Sequence, residues 1–297
     1  MREVGVWCCT VDCVEEIDKI HRVLGEDCVK CLIVIRLWVD DEHSSIKLGS
    51  KFGAHMESID GILEAIKGYG MKAVGVSFHV GSGNTDKNAY DNAIKNTRTV
   101  FDKAAKYGFE MYIVDLGGGW TGHLGGVKLE NPTLFDAYEV VHKALKDYHF
   151  YDIPNLKLMN EPGRYFNERT ICVACTVLDV CKKGNRLIYR INEGVFGMFK
   201  DILLCNLKVT GIPLQDDDDD DNDDKKEEDQ ILYDSSVIGP SGDDMDIICE
   251  DIKLPRMKVG DSILFENMGA YTSSLTTTLL RNNQEYVYLA TESSVSH

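Results

Sequence analysis

Four short segments carry residue types suited to holding a flat, phosphorylated ring: His79-Val-Gly-Ser82-Gly83, Asp115-Leu-Gly117-Gly118-Gly119, Glu161-Pro-Gly163-Arg164 and Glu266-Asn-Met-Gly-Ala-Tyr271. Consecutive glycines let successive backbone N–H groups close around a phosphate, because no Cβ stands in the way. Arg164 adds a permanent charge in a planar fork. A histidine at a strand end can stack on a ring, Ser82 can donate to the phosphate, and Glu161 can pair with a ring nitrogen. Each piece alone has an ordinary structural reading as a tight turn, a surface ion pair or a satisfied side chain. Their joint occurrence, in order on successive strand ends, points to pyridoxal phosphate, whose phosphate, ring face and pyridine nitrogen each need one such group.

These residues need elements to position them. Strands are predicted at Val4–Cys9, Leu32–Ile35, Ala73–Phe78, Met111–Val114 and Leu156–Met159, with a first helix starting at Asp12 and further helices at His55–Tyr69, Asp86–Tyr107 and Thr133–Tyr148. Asp12 with Glu15 three residues later reads as a capping box for the first helix. Strict strand–helix alternation with strands buried on both faces implies a parallel sheet with crossover helices. The candidate residues follow the strands, where the sites of parallel barrels collect. Five strand–helix units are legible, fewer than a closed barrel needs. After Arg164 the pattern changes to β-rich runs at Thr170–Val180, Arg186–Ile191, Leu203–Val209, Ser262–Phe265 and Glu285–Ala290. The expected organisation is a partial (β/α)8 barrel domain over 1–168 and a mostly antiparallel β domain over 169–297.

Composition narrows the function classes. The net charge is −17, and Asp216–Asp229 holds eleven acidic residues and two lysines, so this stretch supplies −9 and the remainder −8. A nucleic-acid partner is excluded by the lack of a basic face. The acidic run at 215–230 reads as a solvated, disordered loop whose like charges repel. No apolar run is long enough for a membrane helix, and charges interrupt Met1–Ile20, which argues against a signal peptide. Ten cysteines without regular spacing point to reduced thiols and a cytoplasmic location. Cys28-Val-Lys-Cys31 and Cys172-Val-Ala-Cys175 have zinc-like spacing but lie in or beside apolar strands, so buried structural thiols are expected and no metal is assigned.

The chain resembles eukaryotic ornithine decarboxylase, in the alanine-racemase-like group of pyridoxal-phosphate enzymes. The resemblance is carried by Lys51-Phe-Gly, Val74–Gly83, Val114-Asp-Leu-Gly-Gly-Gly-Trp120, Glu161-Pro-Gly-Arg-Tyr-Phe166, Asn192-Glu-Gly-Val195, Tyr233-Asp-Ser-Ser236 and Val259–Thr272. It implies that His79 stacks on the cofactor ring with Arg36 nearby, and that Ser82, Gly117, Gly118, Gly119, Arg164 and Tyr271 hold the phosphate. Glu161 takes the ring nitrogen. It further implies that Asp234 and Asp243 face the substrate, and that Lys51 and Asp246 form a salt bridge across a head-to-tail dimer. In that family the product, putrescine, enters polyamine synthesis.

Two departures matter. The family's anchoring lysine lies further upstream of the stacking histidine than this chain reaches. Val29-Lys30-Cys31 only superficially resembles that segment, because it runs straight into the strand ending at Arg36. Second, Gly242 stands where the family has a catalytic cysteine, in Gly239-Pro-Ser-Gly-Asp-Asp-Met-Asp246. The expectation is an ornithine-decarboxylase-like chain that is inactive as written, acting as a homodimer, as a heterodimer with an active decarboxylase, or as an antizyme-type regulator. The alternative is an active decarboxylase represented by an incomplete sequence.

Overall fold

The fold was obtained as a computed structural model, which describes residues 2–86, 88–120, 134–205, 207–214 and 231–277. The chain forms two compact units, Met1–Ile171 and Cys172–His297. The acidic run 215–230 and the expected strand Glu285–Ala290 lie outside the described residues.

In the first unit, β1 (Cys8–Val11), β2 (Leu32–Arg36), β3 (Lys72–Ser77), β4 (Ile113–Asp115) and β5 (Lys157–Met159) form one sheet in the order β1-β2-β3-β4-β5. Every neighbouring pair is parallel. The crossovers run through α1 (Val14–Leu24), α2 (Ile59–Gly68), α3 (Ala89–Lys106) and α4 (Leu134–Asp147), and a short α5 (Gly163–Asn167) follows β5. This is the five-unit partial barrel expected from the alternation. Side chains alternate along β2, so Ile33 and Ile35 share one face; with Val76, on β3 beyond a register shift in the β2–β3 pairing, they pack with Ile59, Ile62, Leu63, Ile66 and Ile94. Val34, Val74 and Ile113 form a smaller cluster with Leu32 and Tyr112. All three residues of β5 are exposed, and β1 and β5 are the two edge strands.

The second unit is a six-stranded sheet in the order β10-β9-β7-β6-β11-β8. It consists of β6 (Val173–Lys183), β7 (Arg186–Ile191), β8 (Gly211–Leu214), β9 (Tyr233–Ile238), β10 (Ile247–Leu254) and β11 (Ser262–Phe265). All pairs are antiparallel except β7 with β9. The β6–β7 hairpin turns through Gly184 and Asn185, with Gly184 at φ 60, which suits a two-residue loop that needs a left-handed residue. The core holds Cys175, Val177, Ile191 and Val237, with Phe199 edge-on to Phe265 at 4.8 Å. Fully buried Tyr189 donates its hydroxyl to the Pro255 carbonyl at 2.9 Å, so its polar end is satisfied.

Two local expectations give way. Asp12 does not cap α1; Cys13 holds that position without a side-chain cap, and the Asp12 carboxylate instead accepts the Gly53 N–H at 2.8 Å. A long-range loop contact has outbid the local cap. Leu203–Val209 is not a strand: α6 (Lys200–Cys205) occupies its first part, and β8 begins only at Gly211. The apolar spacing there allowed either period, a known ambiguity of short runs. Among the described residues no helix is long and apolar enough to cross a membrane. None of their His, Cys, Asp or Glu clusters suits a metal ion. Cys28, Cys31 and Cys175 are buried thiols, whereas Cys172 is exposed.

Leu63 is fully buried between α2 and the sheet. Leu63→Ala is expected to lower unfolding stability by about 2–5 kcal/mol through lost burial and a cavity. Val23→Ala, at a side chain 73% exposed on α1, serves as the surface control; it should shift stability by no more than about 0.5 kcal/mol. Urea unfolding of both variants checks the contrast.

Candidate cofactor site

The sheet's hydrogen-bond ladder continues one step beyond the strand ends. Phe78 N–H donates to the Asp115 carbonyl (3.1 Å), Leu116 N–H to Met159 (2.9 Å) and Glu161 N–H to Gly117 (2.8 Å). These bonds set His79, Gly117 and Glu161 side by side at the carboxyl ends of β3, β4 and β5. The predicted residues Arg36, His79, Ser82, Gly117, Gly118, Gly119, Glu161 and Arg164 all belong to this first unit.

His79 is neutral. Its Nδ1 accepts the Gly81 N–H at 3.0 Å, which leaves the ring proton on Nε2. Burial, with help from the Arg36 charge, lowers its pKa from 6.5 to about 4, against a small opposing pull from Asp41. An uncharged imidazole offers a flat face suited to stacking on a heteroaromatic ring. A Cβ at Gly118 would come within 2.8 Å of Nε2, so the glycine loop and the imidazole are in mutual contact.

The glycine loop passes the test for a phosphate cradle. Gly117 and Gly119 have φ of 66 and 93, in the left-handed region that favours glycine. A Cβ at Gly117 would overlap the Phe78 carbonyl oxygen, and one at Gly119 that of Gly81. The N–H groups of Gly118 and Gly119 have no acceptor among the described residues, and paired amides of this kind hold phosphate oxygens in nests. Ser82 spends its backbone on Ile46, in bonds of 3.1 and 3.2 Å, which leaves its hydroxyl as the group able to meet a ligand.

Arg36 ends β2 with its guanidinium 4.8 Å from the Phe52 ring centroid. Desolvation and the neighbouring Asp115 carboxylate raise the Glu161 pKa, while Arg36 pulls it down. Glu161 therefore holds a proton more readily than an ordinary carboxylate. Asp115, itself buried, accepts the Gly117 N–H at 3.0 Å. Arg164 lies one helical turn from Glu168, with 3.5 Å between them and both side chains nearly buried, so part of its charge is already answered.

Lys51 occupies an exposed turn, its N–H bonded to the Leu48 carbonyl at 3.0 Å. Tyr271, Asp234, Gly242, Asp243 and Asp246 belong to the second unit. Tyr271 has φ 58 and is exposed. Asp234 pairs with Lys253 at 2.6 Å, and that hydrogen bond lowers its pKa. Asp243 accepts the Met245 N–H at 2.9 Å. Buried Asp246 accepts hydrogen bonds from Val195 N–H (2.9 Å), Ser241 N–H (3.0 Å) and the Ser241 hydroxyl (2.6 Å). Gly242 sits at φ 74 with nothing within 4 Å of a Cβ placed on it. Sequence reasoning missed Phe52, which backs Arg36, and Trp120, whose indole N–H bonds to the glycine loop. Neither has a signal beyond its proximity in sequence to a motif.

A parallel barrel sheet with a phosphate cradle and a neutral stacking histidine at its carboxyl end defines a pyridoxal-phosphate type of site. The pyridoxal binding domain of pyridoxal-dependent decarboxylases matches residues 1–168, and the C-terminal sheet domain of the same enzymes matches residues 92–269. The chain belongs to the pyridoxal-dependent decarboxylase family, whose cofactor is pyridoxal phosphate. It is 33% identical to antizyme inhibitor 2 of Xenopus laevis over 280 residues, which cover 90% of this chain and 58% of that protein. It is 34% identical to ornithine decarboxylase of Rattus norvegicus over 289 residues, covering 92% of this chain and 59% of the relative. The chain thus spans under two thirds of both relatives. The arginine decarboxylase of Paramecium bursaria Chlorella virus superposes with a TM-score of 0.79 at 31% identity, over 92% of this chain and 68% of that one. A lysine decarboxylase from Selenomonas ruminantium superposes with a TM-score of 0.73 at 26% identity, over 97% and 68%.

Two outcomes test this geometry. Between pH 6.5 and 4 the unfolded chain takes up a proton at His79 that the native state refuses, so stability must fall as pH falls through that window and level off near its lower end. The expected loss is about 3 kcal/mol, and His79→Phe should abolish it, as measured by urea unfolding at successive pH values. Gly117→Ala must shift the Phe78 carbonyl and adopt a left-handed φ, which is expected to cost about 1–3 kcal/mol and to weaken pyridoxal-phosphate binding, read by cofactor absorbance.

Proposed function

We propose that this chain binds pyridoxal phosphate at the carboxyl end of β3–β5 and serves as an ornithine-decarboxylase-like protein of polyamine metabolism without turnover of its own. The cofactor half of the reading rests on the preformed cradle of Gly118 and Gly119 beside neutral His79. When bound, pyridoxal phosphate supplies an electron sink for the bond-breaking carbon of an amino acid. In this reading the two glycine N–H groups and the Ser82 hydroxyl hold the phosphate. His79 covers one ring face, and the Glu161 carboxyl faces the ring nitrogen, where it can pair with the protonated pyridine. Arg36 keeps His79 unprotonated and moderates Glu161. Asp234 is not carried into this scheme, because Lys253 already engages its carboxylate.

The loss of turnover rests on Gly242. The position that the resemblance assigns to a catalytic thiol offers no acid to protonate a carbanion. Its left-handed backbone also disfavours a cysteine by about 1 kcal/mol. A regulatory role through a dimer with an active decarboxylase, or through antizyme, accords with the likeness to an antizyme inhibitor and an ornithine decarboxylase at similar identity. The second reading is an active decarboxylase completed by residues outside this chain, and the intact cofactor residues favour it.

The purified chain, incubated with pyridoxal phosphate and carboxyl-labelled ornithine, is expected to bind the cofactor saturably and to release no labelled CO2 above background. Robust release overturns the loss of turnover, and absence of saturable binding overturns the cofactor site. Co-expression with a full-length decarboxylase is expected to yield a co-purifying pair.

A further inference from the structure

The Gly117 carbonyl accepts two hydrogen bonds, one from the Glu161 N–H (2.8 Å) and one from the Trp120 indole N–H (2.9 Å). Trp120 is only 6% exposed. Its ring stacks on Tyr90, with centroids 4.9 Å apart and planes 23° apart. Tyr90 in turn meets Phe78 edge-on at 6.5 Å. The Phe78 carbonyl is the atom that fills the space where a Gly117 side chain would stand. The contacts therefore close a ring: Gly117 to Trp120, Trp120 to Tyr90, Tyr90 to Phe78, and Phe78 back to Gly117. The indole cannot turn its N–H elsewhere without unstacking.

The consequence follows from peptide planarity. The Gly117 carbonyl and the Gly118 N–H belong to one rigid trans peptide and point in opposite directions. Whatever fixes the carbonyl fixes the aim of the first N–H in the phosphate cradle. A single hydrogen bond donated by the Glu161 N–H leaves that plane free to rock about the bond axis, whereas a second donor from another direction removes the freedom. Glycine at 117, with its wide conformational range, makes such a constraint necessary. The same carbonyl ties down the Glu161 backbone, so one indole N–H acts on both the phosphate end and the ring-nitrogen end of the site.

We infer that Trp120 is a positioning residue whose indole N–H, acting through the Gly117 carbonyl, aims the Gly118 amide and seats Glu161 for the cofactor. This rests on the reading of the first unit as a pyridoxal-phosphate site. Trp120→Phe keeps an aromatic stack on Tyr90 and deletes the donor. It is expected to weaken pyridoxal-phosphate binding about five- to tenfold, the worth of one buried hydrogen bond. In the cofactor-free protein it should accelerate hydrogen exchange of the Glu161 amide while exchange in α2 and α3 stays unchanged. Replacement of Trp120 by benzothienylalanine, which swaps only the N–H for sulfur, should reproduce both effects without altering packing. It decides the matter if the phenylalanine variant fails to fold. Unchanged Glu161 exchange in the sulfur isostere overturns the inference. If the unmodified chain binds no pyridoxal phosphate, the proposed function falls, and the exchange measurement still judges the role of Trp120.

Discussion

The geometry at the carboxyl end of the sheet depends on the Gly117 peptide. Its N–H is held by Asp115 and its carbonyl by Glu161 and Trp120. The place of its missing side chain is taken by the Phe78 carbonyl. Three strand ends meet at this one residue: β3 through Phe78, β4 through Asp115 and β5 through Glu161. The parallel ladder fixes the strands, but it stops at Asp115 and Met159. Past the strand ends the chain keeps its order through single backbone bonds, Phe78 to Asp115, Leu116 to Met159 and Glu161 to Gly117. A residue with any side chain at 117 would push β3 and β4 apart where His79 and the cradle must stay in contact.

Charge at the site is arranged around that peptide. Arg36 lies where its field acts on both His79 and Glu161, and it lowers the pKa of each. For the imidazole the effect adds to burial and keeps the ring neutral. For the carboxyl it opposes burial and Asp115, which prevail. The outcome is an uncharged ring next to an acid that retains its proton more readily than usual, with one cation serving both. Because Phe52 backs the guanidinium, Arg36 loses a face to solvent without losing its charge.

The partial barrel and its site were legible in the sequence to different depths. Parallel order followed from alternation, since buried β-branched runs such as Leu32–Ile35 admit few other arrangements. The glycines at 117–119 fitted a tight turn as well as a close approach, and only the backbone crowding at Gly117 and Gly119 decides for the latter. Asp12 was misread because a capping box is a local pattern, and its carboxylate found the Gly53 amide 41 residues away. Leu203–Val209 was misread because a short apolar run fits both periods and tertiary context decided for α6. Trp120 closed a recognised motif, but no feature of the sequence indicated its role. An indole donating to a glycine carbonyl depends on the Tyr90 stack, and no spacing rule encodes a contact made across 30 residues.

The turn at 239–246 ties Gly242 to a buried carboxylate. The turn is built around the buried Asp246 carboxylate, which accepts three hydrogen bonds. That carboxylate also fills the space beside Gly194 and Gly239 that side chains would otherwise claim. These three bonds organise the loop, and a buried carboxylate stripped of its donors is costly. Gly242 lies at the tip of this turn in a left-handed conformation with open space around it. A cysteine there would meet no steric obstacle but would strain the backbone, and relief of that strain would pull on Ser241, which holds Asp246. The carboxylate and the glycine are thus two halves of one turn geometry, and a side chain placed at 242 would disturb the support beneath it.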